Sequence, residues 1–523
     1  MNLKDTTQLI LAVLPIIVVL VLMIRFHWPG SKAGPMGWLV AFIISILFFG
    51  IKPDGLAYSQ VKSMLMSLYV LYIIWMALIF YYIVKEAGAI DRIGESIVEI
   101  THDRTLQLLI LSWVFSSFLQ GIAGYGVPIA IVAPLLIVMG FNPVVAVAAV
   151  AVGHSWSVTF GSIAASFNAM VAVSGMESAE LASWSALLLG ITCFLCGIGA
   201  IFFYQGWKSV RHGLPAVLII GATMSSVQYL AAVSQFSNLA AFLAGTAGLG
   251  VSFLVVRMKR YNSSMDSTRS PNLVKKVSRM PFSLAVSGYA VLILIVGVAE
   301  VFPIVGNFLD QVKVSLNFPE TVTNLGFVVP AGTGQRISIF GHAGALLLYA
   351  SILSYMIFFK TGCFKSGALK QIFTSSAKSG LTSSIGIISM VGFAMIMEHS
   401  GMTDEIAHGL SKAGEQIYPF ISPFIGLLGA FMTGSNTNSN IVFTGLQKQT
   451  ANLLNLPVAV ILAAQTAGGS IGGMLAPARI IVGCSTAGLS GKEGLVLSKT
   501  IRTGLIITSV MGVICLIIIK SLS

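Results

Sequence analysis

Residues 434–440 read Gly-Ser-Asn-Thr-Asn-Ser-Asn, so six consecutive side chains end in a hydroxyl or an amide. They lie inside an apolar stretch, where lipid penalises every polar group that lacks a partner. Residues 120–126, Gln-Gly-Ile-Ala-Gly-Tyr-Gly, hold the corresponding place in the first half of the chain, and glycine allows a ligand to approach the backbone closely. Such turns in apolar surroundings indicate binding sites, although glycine-rich membrane turns also occur without a ligand.

The sequence around these two turns is repeated at an offset of 313 to 314 residues. Residues 88–93, Gly-Ala-Ile-Asp-Arg-Ile, correspond to residues 401–406, Gly-Met-Thr-Asp-Glu-Ile. The second residue of each turn lies 22 residues before a proline, Pro143 in one copy and Pro457 in the other. This shared spacing predicts a duplicated membrane unit, and duplicated units with interrupted helices are typical of secondary transporters.

The composition predicts an integral membrane protein. The 523 residues are 56% hydrophobic and only 9% charged, and the mean hydropathy is +0.91, which leaves too little polar surface for a soluble globule. The first apolar stretch lacks a small-residue cleavage motif, so it is expected to remain as a helix. Twelve stretches are long enough to cross about 30 Å of hydrocarbon: 8–26, 34–51, 64–84, 143–172, 182–204, 213–234, 237–257, 282–304, 341–359, 379–397, 457–483 and 500–519.

The net charge of +12 comes mainly from short loops between these stretches, which indicates an orientation signal and not a nucleic-acid surface. Residues 257–281 carry seven Lys or Arg against one Asp and are predicted to form a cytoplasmic linker. They separate a first half, residues 1–256, from a second half, residues 282–523. Counting spans from this linker puts residues 88–103 inside and residues 401–415 outside, so the repeats are expected to be inverted.

Two regions, residues 104–140 and 417–454, are predicted to form re-entrant helical hairpins, one from each face of the membrane. Each arm of about 15 to 18 residues makes roughly 23 to 27 Å of helix, slightly short for a span, and the turn between the arms is polar at a depth where loops need protein or water around them. The expected fold is therefore all-α, with about 12 transmembrane helices and two hairpins. The alternative is two ordinary spans in each region.

The turns and the interrupted spans that follow them contain the candidate substrate-binding residues. A helix that begins at a turn presents unpaired N–H groups and a positive dipole end to a carboxylate, although the side chains of residues 434–440 could instead only cap the helices. The candidates are Gln120, Gly121, Gly124, Tyr125, Gly126, Ser155, Ser157, Ser435, Asn436, Thr437, Asn438, Ser439, Asn440, Gln465, Thr466, Ser470 and Arg479.

Four ionisable side chains have open interpretations. His154 lies eleven residues after Pro143, about 16 Å along a helix, and is the proton-coupling candidate because an ionisable group at that depth is usually functional; the alternative is a neutral His that bonds between helices. Arg479 could pair with a carboxylate or extend to the cytoplasmic surface. Arg336, with the nearby His342, could line an outer vestibule or be an ordinary loop residue.

No catalytic constellation, phosphate-binding loop or metal-ligand cluster is recognisable in the sequence, so neither an enzyme nor a cofactor nor a metal is expected. Cys193 and Cys196 form a CxxC on an apolar stretch without a nearby His or acidic partner, and packing explains them best. The expected partners are a small carboxylate, a coupling ion and the lipid bilayer, and the oligomeric state stays open. A channel remains the rival outside the transporter class.

Three segments carry a family resemblance: FLQGIAGYGVPIAI at residues 118–131, GAFMTGSNTNSNIVFTGLQKQTA at 429–451 and GLSGKEG at 488–494. They resemble the lactate permease family of bacteria and archaea. The resemblance implies a multi-pass secondary transporter of the cell (inner) membrane that moves L-lactate, D-lactate or glycolate by proton symport. The alternative is a sodium-coupled transporter or an exchanger of another small carboxylate.

The triplet Ser435-Asn436-Thr437 is also similar to the hairpin signature of a wider superfamily of carboxylate and ion transporters. That resemblance implies a scaffold domain and a moving, elevator-like transport domain. Family members can carry acidic side chains at the places of Gln120 and Asn436, and an asparagine at that of His154. These departures leave either His154 or sodium bound by hairpin oxygens as the coupling element.

Overall fold

The computed structural model describes residues 3–24, 26, 28–98, 101–122, 124, 126–234, 236–262, 280–414, 417–489 and 492–522. Most of the basic linker therefore lies outside the described residues, and so does Tyr125 of the first turn.

The first half is helical throughout its described residues. Its elements are α1 (Leu3–Ile24), α2 (Gly30–Leu47), α3 (Pro53–Glu86), α4 (Ala89–Val98), α5 (Arg104–Leu109), a π-helical turn (Ile110–Phe115), α6 (Ser116–Ile122), α7 (Val127–Val138), α8 (Pro143–Gly153), a 3₁₀ turn (Ser155–Ser157), α9 (Gly161–Ser174), α10 (Ser178–Gln205), α11 (Trp207–Val233), a second 3₁₀ turn (Ser237–Leu239), α12 (Ala240–Val256) and α13 (Lys259–Asn262).

The second half combines helices with six very short strands. Its helices are α14 (Phe282–Val301), α15 (Pro303–Leu309), α16 (Ala343–Lys360), α17 (Ala368–Ser400), α18 (Met402–Gly414), α19 (Tyr418–Thr433), α20 (Asn436–Leu453), α21 (Val458–Gly472), α22 (Pro477–Thr486) and α23 (Glu493–Leu522).

The strands lie between α15 and α16 and correct the prediction of an all-α fold. β1 (Lys313–Val314) pairs with β6 (Ile337–Ser338), β2 (Asn317–Phe318) with β5 (Gly332–Thr333), and β3 (Thr321–Val322) with β4 (Val328–Val329), all antiparallel. These nested pairs form a ribbon that packs on α3, where Phe318 and Ile337 bury Leu65. Each strand has two residues, too few for the alternating pattern that predicts a strand.

The described residues contain ten helices that are long and apolar enough to cross a membrane, and the bent pair α8–α9 would make eleven. The predicted stretch 457–483 is divided into α21 and α22, and stretch 8–26 corresponds to α1, whose apolar part Thr7–Val19 is shorter than a full span. The chain is therefore a multi-pass helical membrane protein, and the count of twelve spans stays a prediction.

In each predicted hairpin region two helices pack against each other around a short turn. α6 packs on α7 beside Gly124 and Gly126, and α19 packs on α20 around residues 434–435. Gly126 and Gly434 both have left-handed backbone, with φ of 85° and 70°, and glycine adopts that conformation without steric penalty. The reversal of the chain thus explains one glycine in each turn.

The apolar stretch after each predicted hairpin region is divided into two helices. α8 and α9 meet at a bend of 50°, and Ser162, Ile163 and Ala164 at the start of α9 have left-handed φ of 49°, 54° and 54°. Each such non-glycine residue costs about 1–2 kcal/mol, so the surrounding packing must hold this segment. In the second half, α21 ends at Gly472 and α22 begins at Pro477.

Glycines bring the hairpin arms very close to these interrupted spans. A Cβ added at Gly468 or Gly472 of α21 would lie 1.8 Å from the carbonyl oxygen of Pro423 or 2.2 Å from that of Leu427 in α19. In the first half, a Cβ added at Gly153 of α8 would lie 2.0 Å from the carbonyl oxygen of Ser112. Small residues permit such backbone contact between membrane helices, and the contact recurs in both halves.

Candidate functional site

The side chain of Asn436, in the first turn of α20, connects three helical segments. Its Nδ2 donates to Thr159 Oγ1 at 3.1 Å, to the carbonyl oxygen of Thr466 at 3.3 Å and to Ser470 Oγ at 3.5 Å. Thr159 lies in the break between α8 and α9, whereas Thr466 and Ser470 belong to α21. Asn436 is 1% exposed, so this predicted site residue is held inside the protein.

Thr159 completes the connection between the two interrupted spans. Its backbone N–H donates to Ser470 Oγ at 3.0 Å, and its own hydroxyl lies 2.7 Å from Ser470 Oγ and 3.1 Å from the carbonyl oxygen of Thr466. All three residues are buried. The break in the first half and the helix α21 of the second half therefore share one hydroxyl cluster.

The next residues of the second turn contact α9. Asn440 Nδ2 donates to the carbonyl oxygen of Ser166 at 2.9 Å and to Thr466 Oγ1 at 2.8 Å. The hydroxyls of Thr437 and Ser166 lie 2.9 Å apart. The start of α20 is thus bonded to α9 and α21 along one helix face.

The first turn reaches the same break from another direction. The backbone N–H of Gly124 donates to Ser162 Oγ at 2.8 Å. A Cβ added at Gly124 would lie 2.5 Å from that oxygen and 3.1 Å from Gln120 Nε2. One added at Gly161 would lie 2.7 Å from Gln120 Nε2, so the Gln120 amide fills the space beside the turn. Both turns contact the segment from Thr159 to Ser166.

The side chain of Arg479 holds the second turn by bonding to the backbone of that turn. Its Nε donates to the carbonyl oxygen of Gly434 at 3.0 Å, and the residue is 7% exposed. Extension of the side chain to the cytoplasmic surface is therefore wrong for this structure. The residues described above for this site include one cation, Arg479, and no carboxylate, so their charge suits an anion.

Several amide oxygens at the site are buried and have no partner within the described residues: Gln120 Oε1, Asn436 Oδ1, Asn438 Oδ1 and Asn440 Oδ1. The orientations of Asn436 and Asn440 follow from their contacts, because a carbonyl oxygen can only accept and must face the NH₂ group. A buried acceptor without a donor is costly, so these oxygens suit a cation or a ligand with a proton to donate.

Comparison with known proteins places the chain in a family. The family described as L-lactate permease matches residues 8–522. The chain belongs to the L-lactate permease family. The L-lactate permease of Salmonella typhimurium is 29% identical over 97% of this chain and 94% of its own length. The glycolate permease GlcA of Escherichia coli is 26% identical over 97% of this chain and 95% of its own length.

Among solved structures, the YdaH transporter of Alcanivorax borkumensis aligns with 89% of each chain at 13% identity and a TM-score of 0.46. The family match, which spans nearly the whole chain, confirms the resemblance to the lactate permease family that the sequence showed. Membership identifies this permease as a multi-pass transporter of the cell membrane.

Other predicted residues of this permease bond within their own helices. Ser155 Oγ donates to the carbonyl oxygen of Ala151 at 2.6 Å, and Ser157 Oγ to that of His154 at 2.8 Å. His154 Nδ1 donates to the carbonyl oxygen of Val150 at 2.5 Å, and its buried Nε2 has no partner in the described structure. None of these three bonds joins a residue of either turn.

Five other predicted site residues make contacts within the protein beside the two turns: Gly121, Gly126, Ser435, Ser439 and Gln465. A Cβ added at Gly121 would lie 2.5 Å from the Cα of Phe242, so that glycine faces α12, whereas Gly126 lies beside Val482 of α22. Ser435 Oγ caps α20 by accepting from the N–H of Asn438. Ser439 Oγ donates to the carbonyl oxygen of Gly426 and accepts from Gln465 Nε2 at 3.1 Å.

Three residues at this permease site were not among the candidates from sequence: Thr159, Ser162 and Ser166. Thr159 and Ser162 lie in the same polar break as His154 and Ser155. The hydroxyl side chains of that break were the available signal in the sequence. Which of them face α21 or the turns depends on the bend and on the left-handed segment, and the sequence predicts neither.

Proposed function

We propose that this protein transports L-lactate and related short 2-hydroxy monocarboxylates, such as D-lactate and glycolate, by proton symport. One observation carries the proposal: both turns bond to the bend where α8 meets α9, Asn436 to Thr159 in the break and Gly124 to Ser162 in the first residues of α9. Together with the family and the names of its relatives, this arrangement supports a small-carboxylate site between the two halves.

The donors for a carboxylate would be the N–H groups of Asn436 and Thr437 at the start of α20 and the Thr437 hydroxyl, because the Asn438 N–H already bonds to Ser435 Oγ. A helix N-terminus favours an anion, and the buried Arg479 beside Gly434 adds positive charge. The unpartnered amide oxygens of Asn436 and Asn440 would accept from the 2-hydroxyl group. The hydroxyl of a 2-hydroxy acid thus provides the donor that these acceptors lack.

His154 is the proposed proton carrier. Because Nδ1 donates to Val150, the neutral ring has its free lone pair on Nε2, which is buried and has no partner in the described residues. A proton that arrives with the carboxylate could bind there, since the anion would offset the new positive charge.

A second candidate is sodium coupling, and the buried amide oxygens favour it. Hard cations prefer oxygen ligands such as amide and backbone carbonyls, and Asn436, Asn438 and Asn440 each contribute an oxygen without a partner in the described chain. Sodium bound there would neutralise the substrate. The alternative to proton symport also includes an exchanger, which would move one small carboxylate in return for another.

The proposed architecture has two halves, residues 1–256 and 282–523, each of which includes one of two inverted repeats, and the cytoplasmic linker 257–281 joins them. The hairpins 104–140 and 417–454 would be re-entrant and would move with the interrupted spans as an elevator-like transport domain against a scaffold. Close glycine packing of hairpin arms on these spans, at Gly153 and Gly468, supports their movement as one body.

Uptake into proteoliposomes tests the function. We expect radiolabelled L-lactate to accumulate against its gradient when the lumen is alkaline, and not when only a sodium gradient is imposed. Accumulation driven by a sodium gradient alone would contradict proton symport and support sodium coupling. A lumenal lactate concentration that never exceeds the external concentration would contradict both kinds of symport.

The matched variants are Asn436→Ala and Asn452→Ala, which lie at opposite ends of α20. Asn436→Ala should lower uptake by at least about a hundredfold, because it removes a side chain with several buried hydrogen bonds. Asn452 is exposed, so its variant should transport normally. Equal uptake by the two variants, at equal protein content, would contradict the proposed site.

A further inference from the structure

A cavity of about 280 Å³ lies beyond the end of α14, on the side opposite the basic linker. It is separate from the two turns, because none of their described residues belongs to its lining. Its volume equals the share of about nine water molecules in the liquid, enough for a three-carbon carboxylate. The polar lining consists of Asn238, Asp310, Lys313, Arg336, Ser338 and His342.

His342 belongs to this lining, and its side chain has a donor without a partner among the described residues. Its Nδ1 accepts from the N–H of Gly344 at 3.2 Å as the cap of α16, so the proton of the neutral ring is on Nε2. Nε2 is buried without a partner among the described residues, and the residue is 5% exposed. Burial lowers the pKa of His342 to about 4, so the ring is neutral at physiological pH.

Two aromatic rings hold the His342 ring in place. Tyr72 stacks on it with centroids 5.0 Å apart and an interplanar angle of 3°, and Tyr69 meets it edge-on at 4.5 Å. Because the ring cannot rotate freely between these contacts, Nε2–H is a preorganised donor.

The charges around the cavity favour one anion. Lys313 and Arg336 contribute two cations, and Asp310 contributes the one carboxylate of the lining. Burial raises the pKa of Asp310, but its hydrogen bonds with Lys313 and Ser338 and the charges of Lys313 and Arg336 together lower it, so Asp310 stays ionised. The balance is one net positive charge, to which the N-terminus of the 18-residue α16 adds.

A chain of contacts leads from this cavity to the transport site. Asn238 Oδ1 accepts from Asn168 Nδ2 at 2.9 Å. Asn168 belongs to α9, two residues after Ser166, whose hydroxyl contacts Thr437 at the start of α20. Helix α9 therefore contacts both a lining residue of the cavity and the candidate site.

We propose that this cavity is a second carboxylate site at the outer face, which binds a small monocarboxylate before it reaches the two turns. His342 Nε2–H and the Arg336 guanidinium hold the carboxylate, and Lys313 and the start of α16 provide attraction. The identity of the ligand as the transported 2-hydroxy acid rests on the proposed function, whereas the anion site itself does not.

Direct binding tests the site without transport. In calorimetric titrations with L-lactate, Asn436→Ala protein should retain one weak binding event. Adding Arg336→Gln or His342→Asn should weaken that event by about tenfold, since each removes a hydrogen bond to a charged group. Asn still provides a capping oxygen for α16. Lys52→Gln, an exposed cation at the start of α3, is the control and should leave binding unchanged.

Transport provides the second measurement. Arg336→Gln and His342→Asn, each in the otherwise native protein, should raise the KM for L-lactate by about tenfold with kcat unchanged.

Acetate should compete for the cavity in the Asn436→Ala background, and inorganic phosphate should not. Binding of phosphate but not acetate, or unchanged lactate titrations in both double variants, would overturn the carboxylate site. If native protein moves no lactate, the proposed function fails, while the Asn436→Ala titrations still decide this site.

Discussion

The two turns are built by different means although they occupy equivalent places in the repeat. The second turn is held by side chains: Asn436 and Asn440 bond to α9, to α21 and to the break before α9. The first turn bonds to the break through the backbone N–H of Gly124, beside the Gln120 amide. The difference suggests that the second turn recognises polar groups and the first limits the space around them.

The strongest test of this contrast is Gly469→Ala in α21. The new Cβ would lie 2.0 Å from Asn436 Oδ1, and the Asn436 amide cannot yield without losing its bonds to Thr159 and Thr466. Overpacking of this kind costs about 3 kcal/mol, so we expect uptake to fall by about a hundredfold. Initial rates of lactate uptake in proteoliposomes measure the effect.

The control for this change is Gly250→Ala in α12, where an added Cβ meets nothing within 4 Å. Alanine favours helix more than glycine does, so this variant should be as stable as the native protein and transport at the native rate. If Gly469→Ala also transported at the native rate, side-chain bonding of Asn436 would not define the second turn.

A smaller effect is expected from the shared break. Thr159→Val removes a hydroxyl that bonds to Asn436, Thr466 and Ser470, which should cost about 1–2 kcal/mol and lower uptake by about tenfold. Ser155→Ala removes a hydroxyl that bonds only within its own helix among the contacts described, so uptake should stay within about twofold. The reverse order would mean that Ser155, as predicted from sequence, faces the substrate.

Thr159 and Ser155 also illustrate what sequence can predict here. The apolar setting, the polar runs and the shared spacing identify both turns and both interrupted spans, because these depend on composition and distance along the chain. Which hydroxyl faces the site depends on the 50° bend and on three left-handed residues, Ser162 to Ala164. No helical period describes such a segment.

The same limit applies to Gly121 and to the ribbon. Gly121 and Gly124 are equally plausible turn glycines in sequence, but Gly121 packs against the backbone of Phe242 and only Gly124 contacts the break. Close helix contact and close ligand approach both require glycine, so the residue type alone cannot separate them. The ribbon between Lys313 and Ser338 is held by pairings too short to leave a period in the sequence.

The mildest test concerns the first turn itself. In Gly124→Ala the new Cβ would lie 2.5 Å from Ser162 Oγ and 3.1 Å from Gln120 Nε2. Both neighbours are side-chain ends that can move by a small rotation, so the cost should be about 1 kcal/mol and the loss of uptake at a low lactate concentration about fivefold. Uptake of the bulkier 2-hydroxybutyrate should fall more than uptake of glycolate, because the added methyl group reduces the space beside the first turn while the side-chain bonds of the second turn stay intact. Equal losses for both substrates would show that the first turn also acts through hydrogen bonding, and the contrast between the two turns would then disappear.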